Sequence, residues 1–264
     1  MVKPPTLKHE ARERAASPAV LVIAGSDSSG GAGLVRDVRT LADFNIAALC
    51  AITTVTAQSH TEVIGVHHIA SLGIQQQIAA AFATHRIDAI KIGMLGTSAT
   101  VTAVTGSLAN LDIPIVLDPV LVASSGGTLL DAAGVTALVQ LLPLITLLTP
   151  NLPEAAALLS TTIAATEVAM VEQAHRLLQL GPQAVLIKGG HAAGDYALDV
   201  LVTKNQPPLR LNTPRVDATM RGTGCALASA IAGLLALGTS MPEACRGAKH
   251  YVLQKLLLTR MAST

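Results

Sequence analysis

Short runs of Val, Ile, Leu and Ala recur along the chain, with longer Ala/Leu-rich stretches between them. This alternation limits the possible folds more than any other feature. The first run, "AVLVIAG" (19–25), is apolar at every position, so neither face of a strand there suits water. Strands buried on both faces belong to parallel sheets covered by helices. The stretches 49–56, 89–94, 114–120, 145–150 and 184–190 repeat the theme. Segments 33–43, 71–86, 98–110, 131–142 and 165–181 read as the intervening helices. The expected architecture is an α/β fold whose central, mainly parallel sheet carries helices on both faces. Residues 196–214 read as two short strands joined by a Pro-containing turn, and two helices follow over about 223–237 and 241–260. Ser240 and Glu243 have capping-box spacing at the start of the last helix.

Half of the 264 residues are hydrophobic and 13% are charged, enough for a large core. With two Phe, two Tyr and no Trp, that core must be aliphatic. No internal repeat or linker interrupts the pattern, so residues 18–264 read as one domain. The first 17 residues, "MVKPPTLKHEARERAAS", are polar and of mixed charge, and read as a disordered tail rather than a signal peptide. A net charge of +1 without a basic cluster argues against nucleic acid as partner. No apolar run is long enough to span a bilayer, which argues against a membrane. Cys50, Cys225 and Cys245 are too scattered for a disulfide framework or a zinc site. The expected location is the cytoplasm, with reduced thiols.

In open α/β sheets ligands bind where strands end, and the unusual residues of this chain cluster there. In "AGSDSSGGAGL" (24–34), Gly30, Gly31 and Gly33 either allow close backbone approach to a ligand or form a flexible turn capped by Ser28 or Ser29. The stretch matches neither GxxxxGK[ST] nor GxGxxG. Asp37 follows one turn into the next helix, where a solvated position or a helix-dipole partner is the simplest reading. Gln58 ends the second strand, either exposed or offering a donor–acceptor pair to a heterocycle. Asp118 in "LDPV" ends an apolar strand and needs a cation or a hydrogen-bond donor. Glu154 in "NLPE" either caps a helix that has Pro153 in its first turn or helps to hold Mg²⁺. Lys188 in "LIKGGH" either reaches a phosphate or is exposed.

The most informative stretch is "RGTGC" (221–225). Gly222, Thr223 and Gly224 direct N–H groups into one concavity at a helix start, where a transferring phosphoryl group is a natural guest. The helix dipole lowers the pKa of a thiol placed there, so Cys225 reads as a base or as a hydrogen-bond partner of a substrate hydroxyl. The alternative is a small buried residue packing the helix start.

The stretches "IAGSDSSGGAG", "TAQ", "KIGML", "VLDPV", "TPNLPEA", "KGGH" and "GTGC" follow one another in an order and spacing that, over residues 19–255, resemble the hydroxymethylpyrimidine/phosphomethylpyrimidine kinase family of the ribokinase-like superfamily. The resemblance implies a single α/β domain, usually dimeric, that uses ATP and Mg²⁺. The implied substrate is 4-amino-5-hydroxymethyl-2-methylpyrimidine, and in many members also its monophosphate, on the route to thiamin diphosphate. It further implies that Gly25, Asp37 and Gln58 bind the pyrimidine and that Met94 and Val120 wall its pocket. Glu154 and Asp118 match acidic positions linked to Mg²⁺ and phosphates, and Lys188 matches a phosphate-side lysine. Gly222, Thr223 and Gly224 match the anion hole, and Cys225 the catalytic position, where sugar kinases of the superfamily carry aspartate. Two departures stand out: Arg221 replaces the histidine of many members, and the chain stops at "LLLTRMAST" where many continue into a glycine- and histidine-containing tail. A pyridoxal or pyridoxine kinase is the neighbouring enzymatic reading. A pyrimidine-binding protein without turnover is a reading from another class.

Overall fold

The computed structural model describes residues 17–59, 61–109, 111–122, 127, 129–190 and 194–262. The expected tail, up to residue 16, and His191 of "KGGH" lie outside them. In chain order the elements are β1 (Ala19–Asp27), α1 (Gly33–Asp43), β2 (Ala47–Gln58), β3 (Val63–His68), α2 (Ser71–Thr84), β4 (Ala89–Ile92), α3 (Ser98–Leu108), β5 (Ile115–Leu117), α4 (Ala132–Leu141), β6 (Leu147–Leu148), α5 (Leu152–Leu158), α6 (Glu167–Leu178), β7 (Ala184–Lys188), β8 (Tyr196–Thr203), β9 (Leu209–Pro214), α7 (Thr223–Ala236) and α8 (Met241–Ala262).

All nine strands form one sheet in the order β3-β2-β1-β4-β5-β6-β7-β8-β9. The pairs from β2 to β7 are parallel, while β3 at one edge and β8–β9 at the other run antiparallel. The period of two along each strand divides the core. Leu21, Ile23, Ile90, Ile92, Ile115, Leu117, Val185 and Ile187 pack on one face with side chains of α2, α3, α4 and α6. Val20, Val22, Ala24, Ala89, Val116, Leu147 and Leu186 pack on the other with Leu41 of α1, Ile231 of α7 and Ala244 of α8. Each expected strand and helix is present. The unexpected strand is β3, "VIGVHH", an exposed antiparallel edge whose pairing to β2 fixes it where its own pattern does not. At the start of α8 the expected capping box is replaced by a direct bond from the Ser240 hydroxyl to the Glu243 carboxylate, 2.6 Å long.

Two charged pairs interrupt the aliphatic core. In β4, "AIKI", alternation points Lys91 to the α1/α7 face, where it is fully buried. It meets Asp37 of α1 at 2.8 Å, and Ser229 of α7 donates to the other Asp37 oxygen, also at 2.8 Å. Asp199 of β8 accepts from Lys249 of α8 at 2.6 Å and from the backbone N–H of Gly189 at 3.0 Å. Lys249 thereby ties the last helix to the loop that follows β7. Removing one partner of a buried pair leaves an uncompensated charge. Lys249→Ala should therefore cost about 3–5 kcal/mol in urea unfolding, and the double variant Asp199→Asn/Lys249→Met should recover more than half of that. A loss below about 1 kcal/mol for the single variant would place the pair among weak surface ion pairs.

Candidate active site

The strand order reverses between β1 and β4, since β2 follows β1 on one side and β4 takes the other. Ligand crevices of open sheets form at such points, beyond the carboxyl ends of the strands. The glycine-rich loop after β1, Gln58 at the end of β2, Met94 after β4, Val120 after β5 and the start of α7 all reach this end. A side-chain carbon at Gly25 would lie 3.0 Å from the Met94 sulfur, so the absence of one lets Met94 approach the β1 backbone. Met94 is buried and its carbonyl accepts from the Thr53 hydroxyl at 2.7 Å, whereas Val120 is partly exposed.

The glycine-rich loop is organised by a residue the motif reading passed over. Neither Ser28 nor Ser29 caps α1; the N-cap is Ala32, with no side-chain bond to the helix. Instead the buried Asp27 carboxylate accepts from the Ser29 N–H and hydroxyl, each at 2.8 Å, and from the Ala32 N–H at 2.9 Å. The signal was an Asp opening a Ser/Gly turn, where Asx-type bonds to following N–H groups are common.

At α7 the N-cap is Gly222 with φ +70°, and no side chain caps the helix. Only glycine adopts that conformation at little cost, and a carbon added there would also lie 2.7 Å from the Gly31 carbonyl. The helix start therefore seats directly on the glycine-rich loop. A carbon added at Gly224 would lie 3.1 Å from the Lys188 ammonium and 3.3 Å from the Asp118 carboxylate. Lys188 in turn donates to Asp118 at 2.6 Å and lies 3.9 Å from Glu154. Lys188, Asp118, Glu154 and the amide-rich start of α7 are thus brought together.

Glu154 takes the capping role that its spacing offered. Asn151 caps α5 by accepting from the Glu154 N–H, and Glu154 returns the bond to the Asn151 N–H, each at 2.8 Å. Burial, with Asp118 beside it, raises the Glu154 carboxyl to about 7 although Lys188 opposes the shift. Burial works against the charge on Lys188, but Asp118 and Glu154 outweigh it and hold the ammonium well above the usual lysine range. A shallow groove of about 560 Å³ opens nearby between α1 and α8, lined in part by Gly31, Arg36, Arg221 and Lys255; neither Cys225, Asp118 nor Lys188 lines it.

Two expectations are corrected. Asp37 is neither solvated nor presented to a ligand, because it is fully buried with its oxygens bonded to Lys91 and Ser229. The Cys225 thiol is not activated. Burial pushes it up to about 11, with the Asp37 and Asp118 carboxylates acting in the same direction. The Lys91 ammonium and the Gly33 N–H act oppositely and do not offset this. Cys225 is therefore a protonated thiol at neutral pH, suited to hydrogen bonding rather than to taking a proton. The expected consequence is slow alkylation: iodoacetamide at pH 8 should modify Cys225 at least about 100-fold more slowly than an unperturbed thiol, followed by mass spectrometry of the peptide. Modification at the rate of an ordinary cysteine would contradict a raised pKa.

Known proteins match both the sequence and the fold. Residues 27–261 match the family "Phosphomethylpyrimidine kinase". A hydroxymethylpyrimidine/phosphomethylpyrimidine kinase of Synechococcus elongatus is 42% identical over 244 residues, covering 91% of this chain and 92% of that one. The crystal structure of phosphomethylpyrimidine kinase from Clostridium difficile superposes with a TM-score of 0.79 at 34% identity, covering 90% of this chain and 99% of that one. The pyridoxal kinase of Staphylococcus aureus in complex with pyridoxal superposes with a TM-score of 0.84 at 30% identity, covering 91% and 88%. The fold is the ribokinase-like one, and the protein is a phosphotransferase. On a match spanning nearly the whole chain, the protein belongs to the phosphomethylpyrimidine kinase family.

Proposed function

We propose that this protein transfers the γ-phosphoryl group of ATP to the hydroxymethyl oxygen of 4-amino-5-hydroxymethyl-2-methylpyrimidine, and then to the resulting monophosphate, in thiamin biosynthesis. The observation that carries this reading is the meeting of Lys188, Asp118 and the uncapped start of α7 at Gly224, next to Cys225. A loose phosphoryl-transfer transition state needs positioning and charge stabilisation more than a strong base. The N–H groups at the start of α7 donate to the equatorial oxygens of the moving phosphoryl group, and Lys188 holds it by its fixed positive charge. Cys225 orients the substrate hydroxyl by hydrogen bonding, and as the P–O bond to ADP breaks and the new O–P bond forms, the hydroxyl proton passes late to an oxygen of the transferred phosphoryl group. Gln58, Met94, Gly25 and Val120 frame the flat ring, with Asp37 supporting the pocket from beneath through Lys91.

The donor set fits magnesium. Among the described residues no group of three His, Cys, Asp or Glu side chains is placed to hold a metal by itself. Asp118 and Glu154 converge on one cationic position, that of Lys188. Two carboxylates completed by waters and phosphate oxygens are the set Mg²⁺ accepts. Held beside these carboxylates with Lys188 turned to the phosphates, Mg²⁺ would neutralise charge on the phosphates. No helix among the described residues is long and apolar enough to cross a membrane. We place the protein in the cytoplasm as a homodimer, with the exposed Val55, Ile64 and Val66 at the β2–β3 edge as the apolar surface a partner would cover.

A second reading, pyridoxal kinase, is favoured by the likeness to the Staphylococcus aureus enzyme. ADP release with MgATP separates the two when the hydroxymethylpyrimidine, its monophosphate, pyridoxine and pyridoxal are offered one at a time. Turnover with both pyrimidines, lost by at least about 100-fold in Cys225→Ala, is the expected result, that loss being of the size seen when a transition-state contact is removed. Turnover confined to the pyridoxine-type acceptors would transfer the assignment to the second reading, and none at all would leave a binding protein.

The raised pKa of Glu154 predicts opposite effects on stability and turnover. A carboxyl whose pKa is raised on folding contributes stability that is complete below its ordinary value of 4.5 and is lost as pH rises through about 7. Glu154→Gln should therefore be more thermostable than the parent at pH 8 and show no such advantage at pH 4. Turnover of the parent should fall as pH drops below about 7, because protonation removes the Mg²⁺-side carboxylate. Glu154→Gln should be slow throughout. Equal melting temperatures at pH 8 would contradict the assignment.

A further inference from the structure

Arg221 holds together three segments that are distant in sequence. Its Nη1 donates to the Ser29 hydroxyl at 2.8 Å and to the Ser59 carbonyl at 2.9 Å, partners 192 and 162 residues away. Its Nη2 lies 3.4 Å from the Asp27 carboxylate, the anchor of the glycine-rich loop. The same loop is stitched to the end of β2 a second time, since the Ser28 hydroxyl donates to the Gln58 carbonyl at 3.0 Å and accepts from the Gln58 N–H at 2.9 Å. One guanidinium therefore joins the residue preceding the α7 N-cap, the glycine-rich loop and the residue following Gln58.

We propose that Arg221 is a positioning residue, a latch that sets Gln58 over the pyrimidine pocket by tying the end of β2 to the glycine-rich loop. The role of Gln58 rests on the function proposed above; the latch itself rests on the contacts. A folding role alone accounts for the arginine poorly. Its Nε is buried without a hydrogen-bond partner and its Nη2 meets only the Asp27 carboxylate, as an ion pair, whereas a residue kept for stability satisfies its buried donors. A lysine cannot substitute, because a single ammonium lacks the fixed fork that spans the Ser29 and Asp27 sides at once. The latch therefore acts on ring binding more than on the phosphoryl step, which takes place at Gly224, Lys188 and Asp118.

The test compares the parent with Arg221→Gln, Arg221→Lys and Ser29→Ala, the last removing one leg of the latch and leaving the arginine. Amide hydrogen exchange of the ligand-free full chain is read on peptides covering residues 56–64. We expect exchange there to be about tenfold faster in Arg221→Gln, with a smaller increase in Arg221→Lys and Ser29→Ala, the size of effect that follows loss of a charge-assisted hydrogen bond. Steady-state kinetics should show KM for the pyrimidine raised about tenfold, with kcat and KM for ATP changed less than about threefold, the signature of lost ring binding. Unchanged exchange at 56–64 in Arg221→Gln and Ser29→Ala would overturn the latch. So would a fall in kcat with no change in KM for the pyrimidine. A parent that does not phosphorylate the pyrimidine would defeat the functional reading, and the exchange measurement would still decide the latch.

Discussion

The ion pair of Asp37 and Lys91 is the contact on which the site depends. Both side chains are wholly withdrawn from water, where an unpaired charge is untenable. Ser229 completes the set from α7, so α1, β4 and α7 are fixed to one another at a single point inside the α1/α7 layer. The N-termini of α1 and α7 carry, respectively, the glycine-rich loop and the Gly-Thr-Gly-Cys turn. Their spacing decides whether the N–H groups converge on one anion. The α7 turn packs so closely that a single added carbon at Gly222 would collide with the Gly31 carbonyl. Buried charge contributes little net stability compared with well-packed hydrophobic residues, but it tolerates few alternative arrangements. Here it joins the two helices whose N-termini carry the glycine-rich loop and the Gly-Thr-Gly-Cys turn.

Charge is handled in the same manner at the site itself. Lys188 neutralises Asp118 and faces Glu154, and the two carboxylates hold the Lys188 ammonium charged against its burial. Such a cluster exchanges partners readily when a polyphosphate and a divalent cation arrive, because it already holds both signs of charge in a partly dry setting. The thiol of Cys225 belongs to this arrangement as a neutral member. Burial disfavours the thiolate, and Asp37 and Asp118 add to that, which is why the helix dipole does not prevail there. A neutral hydrogen-bonding group at the attacking oxygen is consistent with chemistry that relies on positioning.

Much of the architecture was legible because it rests on periodicity. The apolar run that opens β1 and the amphipathic α1, found over 33–43 as expected, needed no tertiary information. Turn chemistry and strand ends marked Gly222, Gly224, Asp118, Glu154 and Lys188 as candidates, and the family resemblance supplied their expected roles. What escaped was set by contacts across the chain. β3 exists because β2 offers it an edge, and Asp27 looked like one turn residue among several. Lys91 in "AIKI" was a visible anomaly, a lysine inside an apolar strand, yet its partner lies 54 residues away on another element. Asp37 was read as solvated for the same reason: a helix position says nothing about which lysine the sheet will place against it. The fate of Cys225 depended on its burial and on neighbouring charges that no local pattern displays.

The central claim is that the Asp37–Lys91 pair sets the geometry of the start of α7 and hence phosphoryl transfer. A double-mutant cycle of Asp37→Leu and Lys91→Met, followed by both urea unfolding and kcat, tests it most directly. The account predicts that each single variant loses about 3–5 kcal/mol and that the charge-free double variant regains most of that stability. It also predicts that this stable double variant still turns over at least about tenfold more slowly than the parent, as expected when reacting groups are displaced slightly. A double variant with full stability and full kcat would show that the pair serves folding alone and would contradict the account.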